Sequence, residues 1–262
     1  MSYRFLLTRR DGPIAYVTLN RPEVRNALNT DVISELGAWA AAVERQTDIR
    51  VAVLSGAGPV FCAGADIGWM AKSLSFTVDE NTADAERLAA MLAALNRLRV
   101  PLIGRIHGAA LGGGSGLAAI CDIVVAAEDA VFGFTEVKLG IVPAVISPFV
   151  LAKIGRSAAR ELFLTGARFD ATRAREIGVV HAVVPSSGLD DAVLERAREV
   201  LSGGPDAIAT TKALISQVWD MTPKDAARLT ARTIAMRRVS PEGQEGLRAF
   251  LEKRRASWRG DE

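Results

Sequence analysis

Two stretches of small residues are the parts of this 262-residue chain whose composition and spacing suggest chemistry. One spans residues 108–116 and holds five glycines, and the other spans residues 61–67. Glycine and alanine leave backbone N–H groups accessible, and such groups bind a ligand oxygen, most readily where a helix begins. Each stretch follows an apolar, strand-like segment, so the two could together form an oxyanion hole for an enolate. The alternative for each stretch is a tightly packed turn.

The glycine-rich stretch fits two nucleotide-binding motifs poorly. Gly108, four residues and Gly113 begin like a P-loop, but Gly114 stands where that motif requires its phosphate-binding lysine. Residues 114–119 match the dinucleotide fingerprint G-x-G-x-x-A, yet the helix expected behind them is too short for a βαβ unit of about 30 residues. Both nucleotide-binding interpretations are therefore set aside.

Glu136 is a candidate side chain for proton transfer, although residue type alone favours an ordinary surface glutamate. It is flanked by apolar residues, so partial burial is expected, and burial raises the pKa of a carboxyl group towards the range a general acid or base needs. The alternative is an exposed glutamate paired with Lys138, since most glutamates are solvated.

The elements that must position these residues follow an α/β pattern through the first two-thirds of the chain. Apolar alternation or continuous apolar runs predict strands over residues 14–19, 49–54, 101–106 and 123–127. A helix is expected after Thr30, with Thr30 as its N-cap, and a second over residues 88–95. Residues 108–116 are expected to form a loop that leads into a short helix over residues 117–121.

The last third of the chain is almost purely helical in pattern. Pro205, Pro223 and Pro241 each stand where a first helical position would be. We therefore predict an α/β core over residues 1–195 and a helical segment over residues 196–262.

Composition excludes several classes of protein. Hydrophobic residues make up 49% of the chain, too many for a disordered protein, and no apolar run is long enough to span a membrane. The formal charge is only +2, without a long basic block, so nucleic-acid binding is not expected. Two cysteines outside any C-x-x-C motif favour the reducing cytoplasm, and two histidines are too few for a histidine-rich metal site.

Taken together, the motifs resemble the enoyl-CoA hydratase/isomerase (crotonase) superfamily along nearly the whole chain. The matching segments are Val-Thr-Leu-Asn-Arg-Pro (17–22), Asn-Ala-Leu (26–28), Phe-Cys-Ala-Gly-Ala-Asp-Ile (61–67), Gly-Ala-Ala-Leu-Gly-Gly-Gly (108–114), Cys-Asp-Ile (121–123) and Thr-Glu-Val-Lys-Leu-Gly (135–140). The resemblance implies an α/β fold, a spiral of ββα units followed by a C-terminal helical segment that builds a homotrimer or a dimer of trimers. It also implies an acyl-CoA substrate, of which coenzyme A is a part, and neither a metal nor another cofactor.

The resemblance also implies roles for individual residues. Ala65 and Gly113 match the positions whose backbone N–H groups hold the thioester oxygen, and Glu136 matches the second of two catalytic glutamates. The remaining matches concern coenzyme A. Ala63, Asp66 and Ile67 match the loop on its adenine side, and Arg25 and Ala27 match the entry to its site. Phe250 and Lys253 match C-terminal residues that close over it, sometimes from a neighbouring subunit.

Two departures from the family pattern bear on the reaction. Gly116 stands in the substrate site where a typical hydratase has its first catalytic glutamate, and residues 143–149 replace a stretch that is glycine-rich in many hydratases. Together they resemble a bacterial subgroup near the 3-methylglutaconyl-CoA and isohexenylglutaconyl-CoA hydratases of leucine and acyclic-terpene breakdown. The main hypothesis is an enoyl-CoA hydratase, with a branched acyl group as the expected substrate. The alternatives are a Δ3,Δ2-enoyl-CoA isomerase, for which the single Glu136 suffices, and a non-catalytic relative that binds coenzyme A or RNA.

Overall fold

A computed structural model of the chain describes residues 3–259. The strands among these residues are β1 (Leu6–Asp11), β2 (Ile14–Leu19), β3 (Val51–Gly56), β4 (Leu102–Ile106), β5 (Ala109–Leu111), β6 (Ile123–Ala127), β7 (Val131–Gly133), β8 (Arg168–Asp170) and β9 (Ala182–Val184). The α-helices among them are α1 (Thr30–Glu44), α2 (Ile67–Ser73), α3 (Val78–Asn96), α4 (Gly113–Ala119), α5 (Ser147–Thr165), α6 (Ala171–Glu176), α7 (Leu189–Leu201), α8 (Pro205–Val218), α9 (Pro223–Val239) and α10 (Pro241–Leu251).

The strands form two sheets that meet at the glycine-rich stretch. The larger sheet has the order β1-β2-β3-β4-β6-β9, in which β1 and β2 are antiparallel and every other pair is parallel. The smaller sheet has the order β5-β7-β8, with β5 parallel and β8 antiparallel to β7. The chain leaves β4 at Ile106 and enters β5 at Ala109, so it crosses from one sheet to the other just before the glycines.

The core lies on both faces of the larger sheet because alternate residues of a strand point to opposite faces. In β3, Ala52 and Leu54 belong to the cluster that includes α1 and α3, whereas Val51 and Val53 belong to a second cluster covered by α7. Burial on both faces explains why β3 is a continuous apolar run, as is usual for a central parallel strand.

The predicted α/β class and the helical C-terminal region are both observed. The bounds of β2 and β6 and the positions of Pro205, Pro223 and Pro241 at the starts of α8, α9 and α10 match the prediction. The predicted boundary near residue 195 falls inside α7, which packs on the larger sheet through Leu189, Val193 and Ala197. No helix among residues 3–259 is long and apolar enough to cross a bilayer.

Three local expectations were wrong. The N-cap of α1 is Asn29 and not Thr30, because the Asn29 side chain accepts a hydrogen bond of 2.9 Å from the Val32 amide. The glycine-rich stretch is not all loop, since it contains β5 and the first turn of α4. The strands β1, β7, β8 and β9 were missed because three of them have only three residues and β1 is exposed on all but its first residue.

Candidate active site

The two stretches of small residues lie side by side. The Cys62 amide donates to the Ala109 carbonyl at 3.0 Å, and the Leu111 amide donates to the Cys62 carbonyl at 3.0 Å. These bonds place the loop of residues 61–66 along the edge of β5, directly before α4. A side-chain carbon added to Gly64 would lie 3.8 Å from the Gly113 amide nitrogen. The tertiary structure therefore joins the two segments that were expected to form an oxyanion hole.

Two backbone N–H groups in these segments have no partner within residues 3–259. The Leu28 carbonyl accepts a hydrogen bond from the Asp66 amide, and the Leu28 amide donates one to the Gly64 carbonyl. These two bonds form a parallel bridge between Leu28 and Ala65, in which the Ala65 amide points away from Leu28. Gly113 is the first residue of α4, and the first amides of a helix have no acceptor within the helix. Within residues 3–259 neither the Ala65 nor the Gly113 amide donates a hydrogen bond. Both are half-buried and available to a ligand oxygen.

Asn26 fixes the loop that carries Ala65. Its side chain accepts from the Arg21 amide at 2.9 Å and donates to the carbonyls of Ala57 and Val60 at 2.7 and 2.8 Å. Asn26 is 1% exposed and has a φ of 55°, a conformation that asparagine tolerates better than most residues. One buried amide group thus joins the segment of Arg21 to the segment of residues 57–60, which leads into the loop of Ala65.

Arg21 and Asp66 form a second clamp on the same loop. The Arg21 guanidinium pairs with the Asp66 carboxylate at 2.9 Å and donates to the Ala27 carbonyl at 2.7 Å. The other Asp66 oxygen caps α2 by accepting from the Trp69 amide at 3.1 Å. Burial acts to raise the pKa of Asp66, but the hydrogen bonds from Trp69 and Arg21 outweigh it and hold this pKa below its ordinary value.

Glu136 opens a short 3-10 turn (Glu136–Leu139) beside the glycines of the site. A side-chain carbon added to Gly112 would lie 3.3 Å from Glu136 Oε1. The second oxygen, Oε2, is buried and has no hydrogen-bond partner within residues 3–259. Burial raises the pKa of Glu136 above its ordinary value, although its own backbone amide opposes the shift. Within the described part of the chain Glu136 makes no ion pair with Lys138. Glu136 is therefore partly buried, as expected, and is not an exposed glutamate paired with that lysine.

Gly116 lies one turn of α4 beyond Gly112, whose carbonyl accepts the Gly116 amide hydrogen bond at 3.0 Å. A side-chain carbon added to Gly116 would overlap the Cγ2 methyl of Ile146 and lie 3.0 Å from its Cβ. The position of the missing glutamate is thus occupied by an isoleucine side chain. Arg21, Asn26 and Ile146 lie within segments that were noted in the sequence, but their individual roles depend on contacts with other segments of the chain.

The residues implied in coenzyme A binding are only partly brought together. Arg25 is exposed, with its carbonyl accepting from the Ala63 amide at 3.0 Å, and Ala27 is buried next to it. Ile67 is exposed at the start of α2. Phe250 and Lys253 lie at the end of α10, exposed, and no described hydrogen bond, ion pair or ring contact joins either side chain to the Glu136 site.

The cysteines do not suit nucleophilic chemistry. Cys62 and Cys121 are free and buried, and burial raises the pKa of each thiol to about 12. Among residues 3–259 no group of three or more His, Cys, Asp or Glu side chains is placed to hold a metal ion.

Two backbone amides that have no partner within residues 3–259 thus lie close to the half-buried Glu136 carboxyl, where the two sheets meet. The sequence profile described as "Enoyl-CoA hydratase/isomerase" matches residues 9–261, and the chain belongs to this family. The predicted crotonase-like α/β fold is thereby confirmed.

Relatives in other organisms agree with this assignment. The 2,3-dehydroadipyl-CoA hydratase of Escherichia coli is 33% identical over 97% of this chain and 98% of its own length. The crystal structure of an enoyl-CoA hydratase from Shewanella pealeana is 38% identical, with a TM-score of 0.94 over 97% of this chain and 96% of that one. The structure of Pseudomonas aeruginosa AtuE is 36% identical, with a TM-score of 0.95 over 98% of this chain and all of that one.

Proposed function

We propose that the chain is an enoyl-CoA hydratase that adds water across the 2,3 double bond of an enoyl-CoA thioester. The observation that carries this proposal is the buried, unpartnered Oε2 of Glu136 in the same site as the free amides of Ala65 and Gly113. A buried carboxylate oxygen without a partner is costly to fold and is explained when a substrate or water completes it.

The amides of Ala65 and Gly113 would bind the thioester carbonyl oxygen and stabilise the negative charge that moves onto it as the enolate forms. Removing one donor from such a site typically costs about 3 kcal/mol of transition-state stabilisation. Glu136 then serves as the acid/base that supplies the proton to Cα, and its raised pKa favours proton exchange near neutral pH.

Coenzyme A would bind along the segments that hold the loop of Ala65. Ala63, Asp66 and Ile67 would lie along its adenine side. The Asp66 carboxylate, which is bonded to Arg21 and to the Trp69 amide, would hold this loop in place. Arg25 and Ala27 would line the entry, and Phe250 and Lys253 would close over the ligand. Coenzyme A belongs to the substrate, and the proposed reaction needs no metal or other cofactor.

The acyl group that we propose is branched, as in 3-methylglutaconyl-CoA, which would place the reaction in leucine or acyclic-terpene breakdown. Gly116 and the departing segment of residues 143–149 support this choice, and Ile146, which fills the space beside Gly116, belongs to that segment.

A second candidate is a Δ3,Δ2-enoyl-CoA isomerase. The specific observation in its favour is that the site holds one carboxyl group, with Ile146 where the second would project. One carboxylate can take a proton from C2 and return it to C4, whereas hydration also requires a positioned water.

The C-terminal helices support assembly into a homotrimer or a dimer of trimers. The helices α8 and α9 contain no buried residue in the single chain. Large apolar side chains stand exposed on or beside α8–α10, and such patches mark association surfaces: Ile215, Trp219, Ile234, Met236, Val239, Leu247, Phe250 and Leu251. The two free, buried cysteines fit a reducing, cytoplasmic compartment.

A panel of thioesters tests these proposals. The purified protein is incubated with a linear 2-enoyl-CoA, a linear 3-enoyl-CoA and 3-methylglutaconyl-CoA, and water addition and double-bond migration are followed separately. Water addition, fastest with the branched thioester, is expected. Migration of the 3-enoyl double bond without water addition to any 2-enoyl thioester would replace the hydratase by the isomerase. Turnover of none of the three would contradict both.

A further inference from the structure

Gly116 and Ile146 are packed so closely that only glycine fits at position 116. The Gly116 Cα points its missing side chain at Ile146, whose Cγ2 methyl occupies the space a Cβ would need. Ile146 is 3% exposed and belongs to the main core. Its carbonyl accepts the Val150 amide at 3.1 Å in the first turn of α5. The isoleucine is therefore fixed by both its side chain and its backbone.

This contact lies next to the proposed acid/base. Gly112 and Gly116 are joined by one turn of helix. Glu136 Oε1 lies against Gly112, and the Ile146 side chain lies against Gly116. An acidic side chain at position 116 would project into the volume that Ile146 fills. The place of a second carboxylate is thus apolar, and an apolar wall offers a water molecule no hydrogen bond.

We propose that Ile146 is the specificity-determining residue that restricts this site to one carboxylate, so that Glu136 alone holds and deprotonates the attacking water. This inference rests on the proposed hydratase function for its chemistry, whereas the packing of Ile146 against Gly116 stands independently. In the resulting step the water oxygen bonds to Cβ while one water proton passes to the Glu136 carboxylate. The carbon–carbon π electrons move onto the thioester oxygen. The enolate then collapses and Glu136 returns a proton to Cα, which completes the addition of one water.

The packing is tested by melting temperatures of a double-substitution series. Gly116→Ala is expected to lower the melting temperature by about 5 °C, since an overpacked core loses stability even though alanine is the better helix former. Ile146→Leu removes the branch that carries Cγ2 and keeps the volume, so it should restore most of that loss in the double variant. Ile146→Val keeps the branch and is the matched control that should restore nothing. Equal melting temperatures for Gly116→Ala and the wild type, or equal rescue by leucine and valine, would overturn the contact.

The chemistry is tested by installing a second carboxylate. In the background of Ile146→Ala, which makes room, Gly116→Glu is compared with the neutral Gly116→Gln, and hydration is measured against pH. A carboxylate next to Glu136 is expected to move the acidic limb of the rate profile to higher pH, because like charges oppose ionisation, and glutamine is expected to leave it in place. The proposal fails if the two double variants share one profile.

The two proposals fail in different ways. If the wild-type protein adds water to no enoyl thioester, the hydratase function and the role of Glu136 are refuted together. The melting-temperature series still decides whether Ile146 excludes a side chain at position 116. If Ile146→Ala variants do not fold, the Leu and Val variants, which remove at most one methylene group from the core, decide the packing.

Discussion

Replacing Glu136 by glutamine is the most direct test of the proposed site. The substitution preserves the shape of the side chain and removes its ability to exchange a proton. General acid–base catalysis contributes about 10²- to 10⁴-fold, so hydration should fall by that factor. At about 1.4 kcal/mol for each tenfold change, this loss corresponds to about 3 to 5 kcal/mol of transition-state stabilisation.

The same substitution should leave the fold intact and slightly more stable at pH 8. Within residues 3–259 Oε2 is buried without a partner, and burying an ionised carboxylate costs more free energy than burying the neutral amide that replaces it. Since Glu136 is only half-buried, we expect about 1 kcal/mol, or a melting temperature about 2 to 4 °C higher. Because the pKa of Glu136 is raised in the folded protein, the favourable contribution of its protonated form is complete below the ordinary pKa. That contribution is lost as the pH rises through the raised pKa, so the gain from glutamine should shrink towards pH 4.

The measurements are initial hydration rates with an enoyl-CoA thioester and thermal unfolding at pH 4 and pH 8. Glu128→Gln is the matched control, since Glu128 is exposed just after β6 and its side chain makes no described hydrogen bond or ion pair. A Glu136→Gln protein with turnover within about threefold of the wild type would refute the catalytic assignment, because a loss that small is far below the ~100-fold minimum expected on removing a general acid/base. A melting temperature at pH 8 that falls by several degrees would refute the account of Oε2.

Three further predictions concern Glu136, Asn26 and Arg50. The acidic limb of the wild-type rate profile should lie above the ordinary glutamate pKa of 4.5, because hydration needs ionised Glu136 and burial raises its pKa; a limb at or below 4.5 would contradict this. Asn26→Ala removes three hydrogen bonds and should cost about 3 kcal/mol. In melting experiments Asn26→Gly, which tolerates the positive φ, should recover only part of that loss, and full recovery would show that the bonds contribute nothing. The Arg50 guanidinium donates hydrogen bonds to the carbonyls of Trp258, Leu201 and Gly203, and Arg50→Met removes them. Amide hydrogen exchange over residues 257–259 should therefore accelerate at least tenfold. Arg198→Met is the control, and equal exchange rates in the two variants would show that Arg50 does not hold this segment in place.

The sequence predicted those features that depend on neighbouring residues. The bounds of β2 and β6 follow from short apolar patterns, and the three helices that begin with proline follow from the fixed φ of that residue. The two small-residue stretches and Glu136, which were selected by residue type and by apolar neighbours, are brought together by the fold. The very short strands escaped prediction because three residues carry no detectable period.

By itself, then, the sequence determined the fold class, the family and the candidate donors and carboxyl, since these depend on residue type and order. Only the tertiary structure decided which groups remain free to act. Pairing with Leu28 leaves the Ala65 amide without a partner, and the bond to Arg21 engages the Asp66 carboxylate. The sequence shows that position 116 carries no carboxylate, but it does not show that the Ile146 side chain fills the space beside Gly116. The physical reason is that hydrogen-bond satisfaction and occupied volume are properties of segments that meet in space, and the chain order of these segments does not specify where they meet.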